Sequence, residues 1–169
     1  MSTPTPSAAT AVAREAAWLA AYNPADGLPG LLRAYGGPFD VVQAYWPRTP
    51  HARKNCLYVL RRRIESVRTA NVRTMNRYPF LLRIVWPLSS RTGSAESVQQ
   101  SLDDAVQLVQ QRVDGLFMDK THGGRFLSVA ENPPQSEVDF QDPETTISGQ
   151  NPELRAEITY WADDFETSG

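Results

Sequence analysis

The sequence predicts an α+β fold: a mixed, mostly antiparallel sheet with a long helix packed on one face and an N-terminal helix. Three observations predict it. Apolar residues alternate from Tyr78 to Leu88 and again from Leu154 to Ala162, the period of a strand with one buried face. Between those runs Val98, Leu102, Ala105, Val106, Val109, Val113 and Leu116 recur at spacings of three and four, the period of an amphipathic helix. Thirteen prolines and ten glycines in 169 residues cut the rest into short elements.

Residues 1–9 are rich in Ser, Thr, Pro and Ala and read as a mobile N-terminal arm. The domain proper spans 10–165, and 166–169 read as a flexible C-terminus. Thr10 is placed to cap a helix reaching Tyr22, with Val12, Ala16, Leu19 and Ala20 as its apolar stripe, and Asn23-Pro24 stops it. Leu31 to Tyr35 suits a single helical turn between glycines. Phe39 to Trp46 reads as a strand closed by Pro47. Leu57 to Val67 reads as one strand with Tyr58, Leu60 and Ile64 on its buried face. The connector 68–77 is either a projecting arm or a continuation of both flanking strands past the sheet edge. Ser94 caps the long helix, with Asp103 and Asp104 on its solvent side and Arg112 near the end that favours cations. Thr121-His122-Gly123-Gly124 turns into a strand over 125–130. Glu137 to Phe140 forms another short strand, 141–152 a polar loop, and Leu154 to Ala162 the last strand, with Leu154, Ala156, Ile158, Tyr160 and Ala162 on one face.

Composition narrows the function. With 41% hydrophobic and 21% charged residues, a soluble globular domain is expected. The single cysteine, Cys56, excludes an internal disulfide or a multi-thiolate metal site, and it begins an apolar run as a small buried hydrophobe would. No apolar run has the length of a membrane span, and the N-terminus lacks the pattern of a secretory signal, so an intracellular protein is expected. Gly123-Gly124 precedes a strand rather than a helix, so it is not a phosphate loop. His51 and His122 sit in separate loops without a carboxylate at helical spacing, so no metal site is expected. Asp103-Asp104 and Asp163-Asp164 lie on a helix surface and at a chain end, unlike a buried acid–base dyad. Tyr78, Phe80 and Trp86 read as core rather than as a stacking platform. No catalytic, cofactor-binding or metal-binding residues are expected, and no enzyme.

Charge is the most informative feature. Between Arg48 and Arg83 ten basic residues face one acid, a net of +9. Between Glu131 and Gly169 ten acids face one base, a net of −9, so the whole-chain charge of −2 conceals two opposed fields. Either the fields neutralise each other within one fold, or they meet between copies in a head-to-tail contact that can close into a ring. On the second reading Arg61, Arg63, Arg68 and Arg73 reach Glu137, Asp139, Asp142 or Glu144 of a neighbour.

The segments Arg83-Ile84-Val85-Trp86, the helix over 94–116, Thr121-His122-Gly123-Gly124-Arg125-Phe126, Val138-Asp139-Phe140-Gln141-Asp142-Pro143 and the closing strand from Leu154 to Asp164 follow one another in a recognisable order. In element order, in the His-Gly-Gly turn and in the Tyr-x-Ala-Asp-Asp ending, residues 38–165 resemble the tail terminator proteins of bacteriophages with long non-contractile tails, especially actinobacterial phages. That resemblance implies a six-membered ring of identical subunits. The ring would sit on the last ring of major tail tube protein, end tube polymerisation and present a surface to the head–tail connector or stopper protein. Genome DNA would pass through the lumen without sequence-specific binding. The location implied is the tail–neck junction of the virion, reached from the host cytoplasm during assembly, with no cofactor and no membrane partner. Another head–tail neck adaptor, or a nucleic-acid-binding module built on the arginine-rich hairpin, is the alternative.

Overall fold

The computed structural model describes residues 8–21, 29–49, 53–70, 73–88, 94–115, 119–131, 134–143 and 152–167. In chain order these form α1 (Ala11–Ala20), β1 (Val41–Ala44), β2 (Cys56–Arg61), β3 (Glu65–Ala70), β4 (Arg73–Pro87), α2 (Ala95–Asp114), β5 (Ser128–Val129), β6 (Glu137–Phe140) and β7 (Glu153–Thr167). The fold is α+β, as the patterning predicts, with a seven-stranded mixed sheet and two helices. β4 and β7 pair antiparallel along their whole length, from Arg73 opposite Thr167 to Pro87 opposite Glu153. β2 and β3 follow each other along the free side of β4, and β5 and β6 along the free side of β7. β1 adds parallel to β2.

The even-numbered residues of β4 and β7 carry the core. Tyr78, Phe80, Leu82, Ile84 and Trp86 of β4 pack with Leu154, Ala156, Ile158, Tyr160 and Ala162 of β7, all buried. Val98, Leu102, Ala105, Val106, Val109 and Val113 of α2 close over them, with Val12, Ala16 and Leu19 of α1. Burying one such side chain is worth about 1.5–3 kcal/mol, so the shared stripe of the two long strands and α2 dominates folding. Ser94 caps α2, its hydroxyl accepting from the Ser97 amide at 3.2 Å. Asp103 and Asp104 are exposed, as their positions on the helix require.

Several boundaries differ from the sequence reading, each for a physical reason. The segment 57–67 is two strands, not one. Pro79 accepts from the Arg62 amide at 3.1 Å but has no N–H to return, and the ladder beside β4 breaks there. The phase of β2 is also reversed: Leu57 and Val59 enter the core, while Cys56, Tyr58 and Leu60 face the other side of the sheet. Tyr58 is buried even so, because Trp46 packs on it at 4.8 Å, and hydrophobicity on both faces erases the alternation. The connector 68–77 continues both strands, with Ala70 opposite Arg73. The strand expected over 39–46 spans only Val41–Ala44, and that over 125–130 only Ser128–Val129, because turns occupy 120–125 and Ala130 has a φ of 53°. Thr10 makes no side-chain cap; its hydroxyl accepts instead from Arg14 Nε at 3.1 Å. Gly37 is required where it stands, since a Cβ there would lie 2.2 Å from the Leu31 carbonyl. His51, Glu144, Asn23-Pro24, residues 1–7, Leu116 and most of the polar loop over 141–152 lie outside the described residues.

The largest departure is a set of buried charges. Asp163 and Asp164 do not end the chain; β7 runs on to Thr167, and both aspartates are buried on opposite faces of it. Arg14 is fully buried, donates to Asp164 Oδ2 at 2.9 Å and to the Arg125 carbonyl, and lies over the Phe126 ring. Glu15 and His122 are also fully buried, with Oε1 and Nδ1 2.7 Å apart. His122 Nε2 faces the Val113 carbonyl at 3.1 Å, which can only accept, so Nε2 carries a hydrogen. Arg112 does not trail into solvent: it donates to the carbonyls of Trp18 and Ala21 at 3.1 and 2.9 Å. Trp18 stacks on His122 at 5.0 Å and meets the Arg112 guanidinium at 4.1 Å. Burial, together with the charge of Glu15, pushes the Tyr160 hydroxyl well above its ordinary pKa.

The His-Gly-Gly turn holds this arrangement in place. Burial opposes the charge of Asp119, but hydrogen bonds from the Thr121 hydroxyl, the Thr121 amide and the Gly123 amide win and hold its pKa below the ordinary value. Gly123 has a φ of +70°, and a Cβ there would press on Trp18 at 3.2 Å.

Two stability measurements check these assignments. Asp164→Ala strands the Arg14 charge in the core and should lower the unfolding free energy by about 3–5 kcal/mol, while Arg14→Met with Asp164→Leu should recover most of it in urea titrations. Because the folded pKa of Asp119 is depressed, its stabilisation is complete above the unfolded value of about 3.9 and is lost as pH falls through the folded value. The stability gap between wild type and Asp119→Ala should therefore be full at pH 7 and shrink below about pH 4.

Candidate interaction surface

The sheet's second face is left open by both helices. The odd-numbered residues of β4 and β7 build it, and they form polar ladders across the strands. Gln43, Tyr58, Arg83, Glu157 and Asp139 make one row across β1, β2, β4, β7 and β6. Within it Arg83 bonds Glu157 at 3.0 Å and lies over the Trp46 ring. A second row runs Glu65, Arg77, Asp163, Ser128. Arg77 grips Asp163 through two hydrogen bonds of 2.8 and 3.1 Å, and the bond to that carboxylate raises its pKa. Arg77 also lies over Trp161, whose Nε1 donates to the Glu131 carbonyl at 2.7 Å.

At Pro79 and Trp161 the sheet narrows to its two central strands, since β2 and β3 are interrupted on one side and β5 and β6 on the other. A cavity of about 360 Å³ lies over this waist. Arg62 and Arg63 form one wall, Gln135 and Glu137 the opposite one, and Pro79, Thr159 and Trp161 the floor.

Of the described residues singled out by charge, all but Arg73 fall on two opposite flanks; Arg73 starts the central strand β4, between β3 and β7. Arg61 ends β2, exposed, and donates to the Ala8 carbonyl at 3.1 Å. Arg63 pairs with Glu65 at 3.3 Å, both exposed. Arg68 lies exposed on β3, and Arg73 opens β4 opposite Ala70. Glu137 and Asp139 are exposed on β6, and Asp142 just beyond it. Arg63 and Glu137 both line the cavity, and among the described residues no ion pair joins them. Part of each charge block is neutralised inside the subunit, by Arg77 with Asp163 and Arg83 with Glu157. Asp164 is paired with Arg14, Arg63 with Glu65 and Glu153 with Arg155; exposed Arg61, Arg62 and Arg68 remain on the β2–β3 flank, and exposed Glu137 and Asp139 on the β6 flank.

Sequence reasoning missed Tyr45 and Trp46. Both are large and exposed, by 47% and 39%, at the end of β1. Tyr45 has a φ of 69°, a conformation that costs a bulky residue on the order of 1–3 kcal/mol. The signal available was two aromatics in succession before Pro47. Among the described residues this surface gathers no reactive constellation. His122 is sealed in the core, burial raises the pKa of the Cys56 thiol, and among the described residues no group of three His, Cys, Asp or Glu could hold a metal ion. No described helix is long and apolar enough to cross a membrane.

Tyr45→Asn places a residue that tolerates positive φ at the strained position. It should change the unfolding free energy by less than about 1 kcal/mol in chemical denaturation, because the exposed ring gives the fold little. A loss above about 2 kcal/mol would make Tyr45 a structural residue instead. No protein-family model matches this chain, and no curated protein matches it significantly.

Proposed function

We propose that this chain is a structural virion protein that assembles as a ring of identical subunits, caps a phage tail tube, ends its polymerisation and forms the joining surface for the head connector. The observation that carries the reading is the placing of net basic and net acidic flanks on opposite edges of one sheet. A closed ring needs each subunit to carry two different, complementary sides. The absence of a reactive constellation among the described residues is compatible with a structural role but does not argue for it. The resemblance of residues 38–165 to tail terminators supplies the tube and connector as partners.

Charge at the rim sets orientation and encounter rate more than affinity, with each exposed pair worth on the order of 0.2–1 kcal/mol. Arg68→Glu combined with Arg73→Glu should weaken ring formation by about 2- to 30-fold at low salt, and by less at high salt where the field is screened. Sedimentation and electron microscopy of tail preparations read both. Rings and capped tails at wild-type yield in low and high salt would remove the hairpin from the contact. Tubes that stop at normal length without this protein would remove the function.

A further inference from the structure

β1 and β6 are the two ends of one five-strand row. Gln43 and Asp139 lie on it at the same level, four strand spacings or about 19 Å apart. Each strand has four residues, and among the described residues no strand pairs with the free side of either. The outward backbone groups can be assigned. The amides of Val41 and Tyr45 bond carbonyls of Asn55 and Val59, which leaves Val42 and Ala44 directed away from β2. The Gln141 amide bonds the Arg155 carbonyl, which leaves Val138 and Phe140 directed away from β7. Each edge therefore offers unpaired donors and acceptors to another strand.

The chemistry flanking the two edges is complementary. Exposed Arg53 and Lys54 precede β2 where it meets the start of β1, and exposed Arg48 follows β1; none of the three has an ion-pair partner among the described residues. Glu137 and Asp139 are exposed on β6. Tyr45 and Trp46 stand beside one edge, and Phe140, 51% exposed, on the other. Tyr and Trp anchors beside arginine are the composition of interface centres. The strained backbone of Tyr45, which presents a ring the fold does not bury, belongs to the same edge.

We infer that the β1 edge of one copy pairs strand to strand with the β6 edge of the next, joining subunits head to tail into a continuous sheet. This rests on the ring reading and names the contact that closes the ring. Tyr45, Trp46 and Arg48 of one subunit meet Asp139 and Phe140 of its neighbour. The row from Glu65 to Ser128 places the β3 edge level with the β5 edge, so the arginine-bearing arm follows the same contact.

Two edge-blocked variants test it. Ala44→Pro removes an outward amide from β1, and Phe140→Pro removes one from β6; neither amide serves the internal ladder. Light scattering after size exclusion is read on the full chain, alone and with purified tail tubes. Each variant by itself should stay monomeric. An equimolar mixture should give a dimer and nothing larger, because each variant keeps one working edge. Should either proline unfold its chain, Arg48→Glu with Lys54→Glu, and Glu137→Lys with Asp139→Lys, replace them; each alone should stay monomeric, and their equimolar mixture, complementary again at both edges, should recover full assembly. Variants that still form rings, or a mixture that stays monomeric while wild type assembles, overturn the edge contact and leave the ring reading standing. A wild-type chain that remains monomeric even on tubes overturns both.

Discussion

The antiparallel ladder between β4 and β7 is the constraint from which the rest of the molecule follows. Fifteen residues of each strand pair in one uninterrupted register, although 65 residues separate the end of β4 from the start of β7. That register decides which side chains become core and which become surface, since a slip of one position would exchange the two faces. It also brings Arg77 opposite Asp163 and Arg83 opposite Glu157, so that the ladder is closed on its open face by ion pairs. On its covered face it presents Tyr160 and Asp164 to α1, where Glu15 and Arg14 meet them. Local strength and long-range order are thus the same interaction seen from two sides.

Much of this was legible in the sequence because its logic is periodic. Alternation in β4 and β7 identified their buried residues, and spacings of three and four identified those of α2. Both patterns reflect a single apolar neighbour on one side. Where a segment has apolar neighbours on two sides the pattern vanishes, which is why alternation gives β2 the wrong phase: Tyr58 is covered by Trp46 from outside the core. Pro79 was visible as a residue without an amide, but its effect falls on Arg62 to Ile64, the partner segment across the ladder.

Buried charges were illegible for a different reason. Arg14, Glu15, Arg112 and His122 belong by composition on a surface, and burial is tolerable only because each finds a partner far along the chain: Arg14 with Asp164, Glu15 with His122, Arg112 with the Trp18 carbonyl. A helical wheel sees only the neighbours of its own helix. The pairings depend on which end of α1 meets which end of β7, and that is set by the sheet.

The same distinction bears on the charge blocks and on what they are for. Summing charge over a segment treats every residue in it as equivalent, yet the strand period sends neighbours to different places. Arg77 and Arg83 turn to the open face and are neutralised by β7, so they add little to any field beyond the subunit. Arg68 sits on the outermost strand of one flank, and Asp139 on the outermost strand of the other. Charge that survives at an edge stands beside unpaired backbone groups, and only there can it select a partner whose strand then supplies the hydrogen bonds. A sheet with like charge on both edges would repel its own copies. On the proposed ring contact, unlike edges would disfavour the wrong pairing, edge against identical edge, and favour the one arrangement that can close on itself.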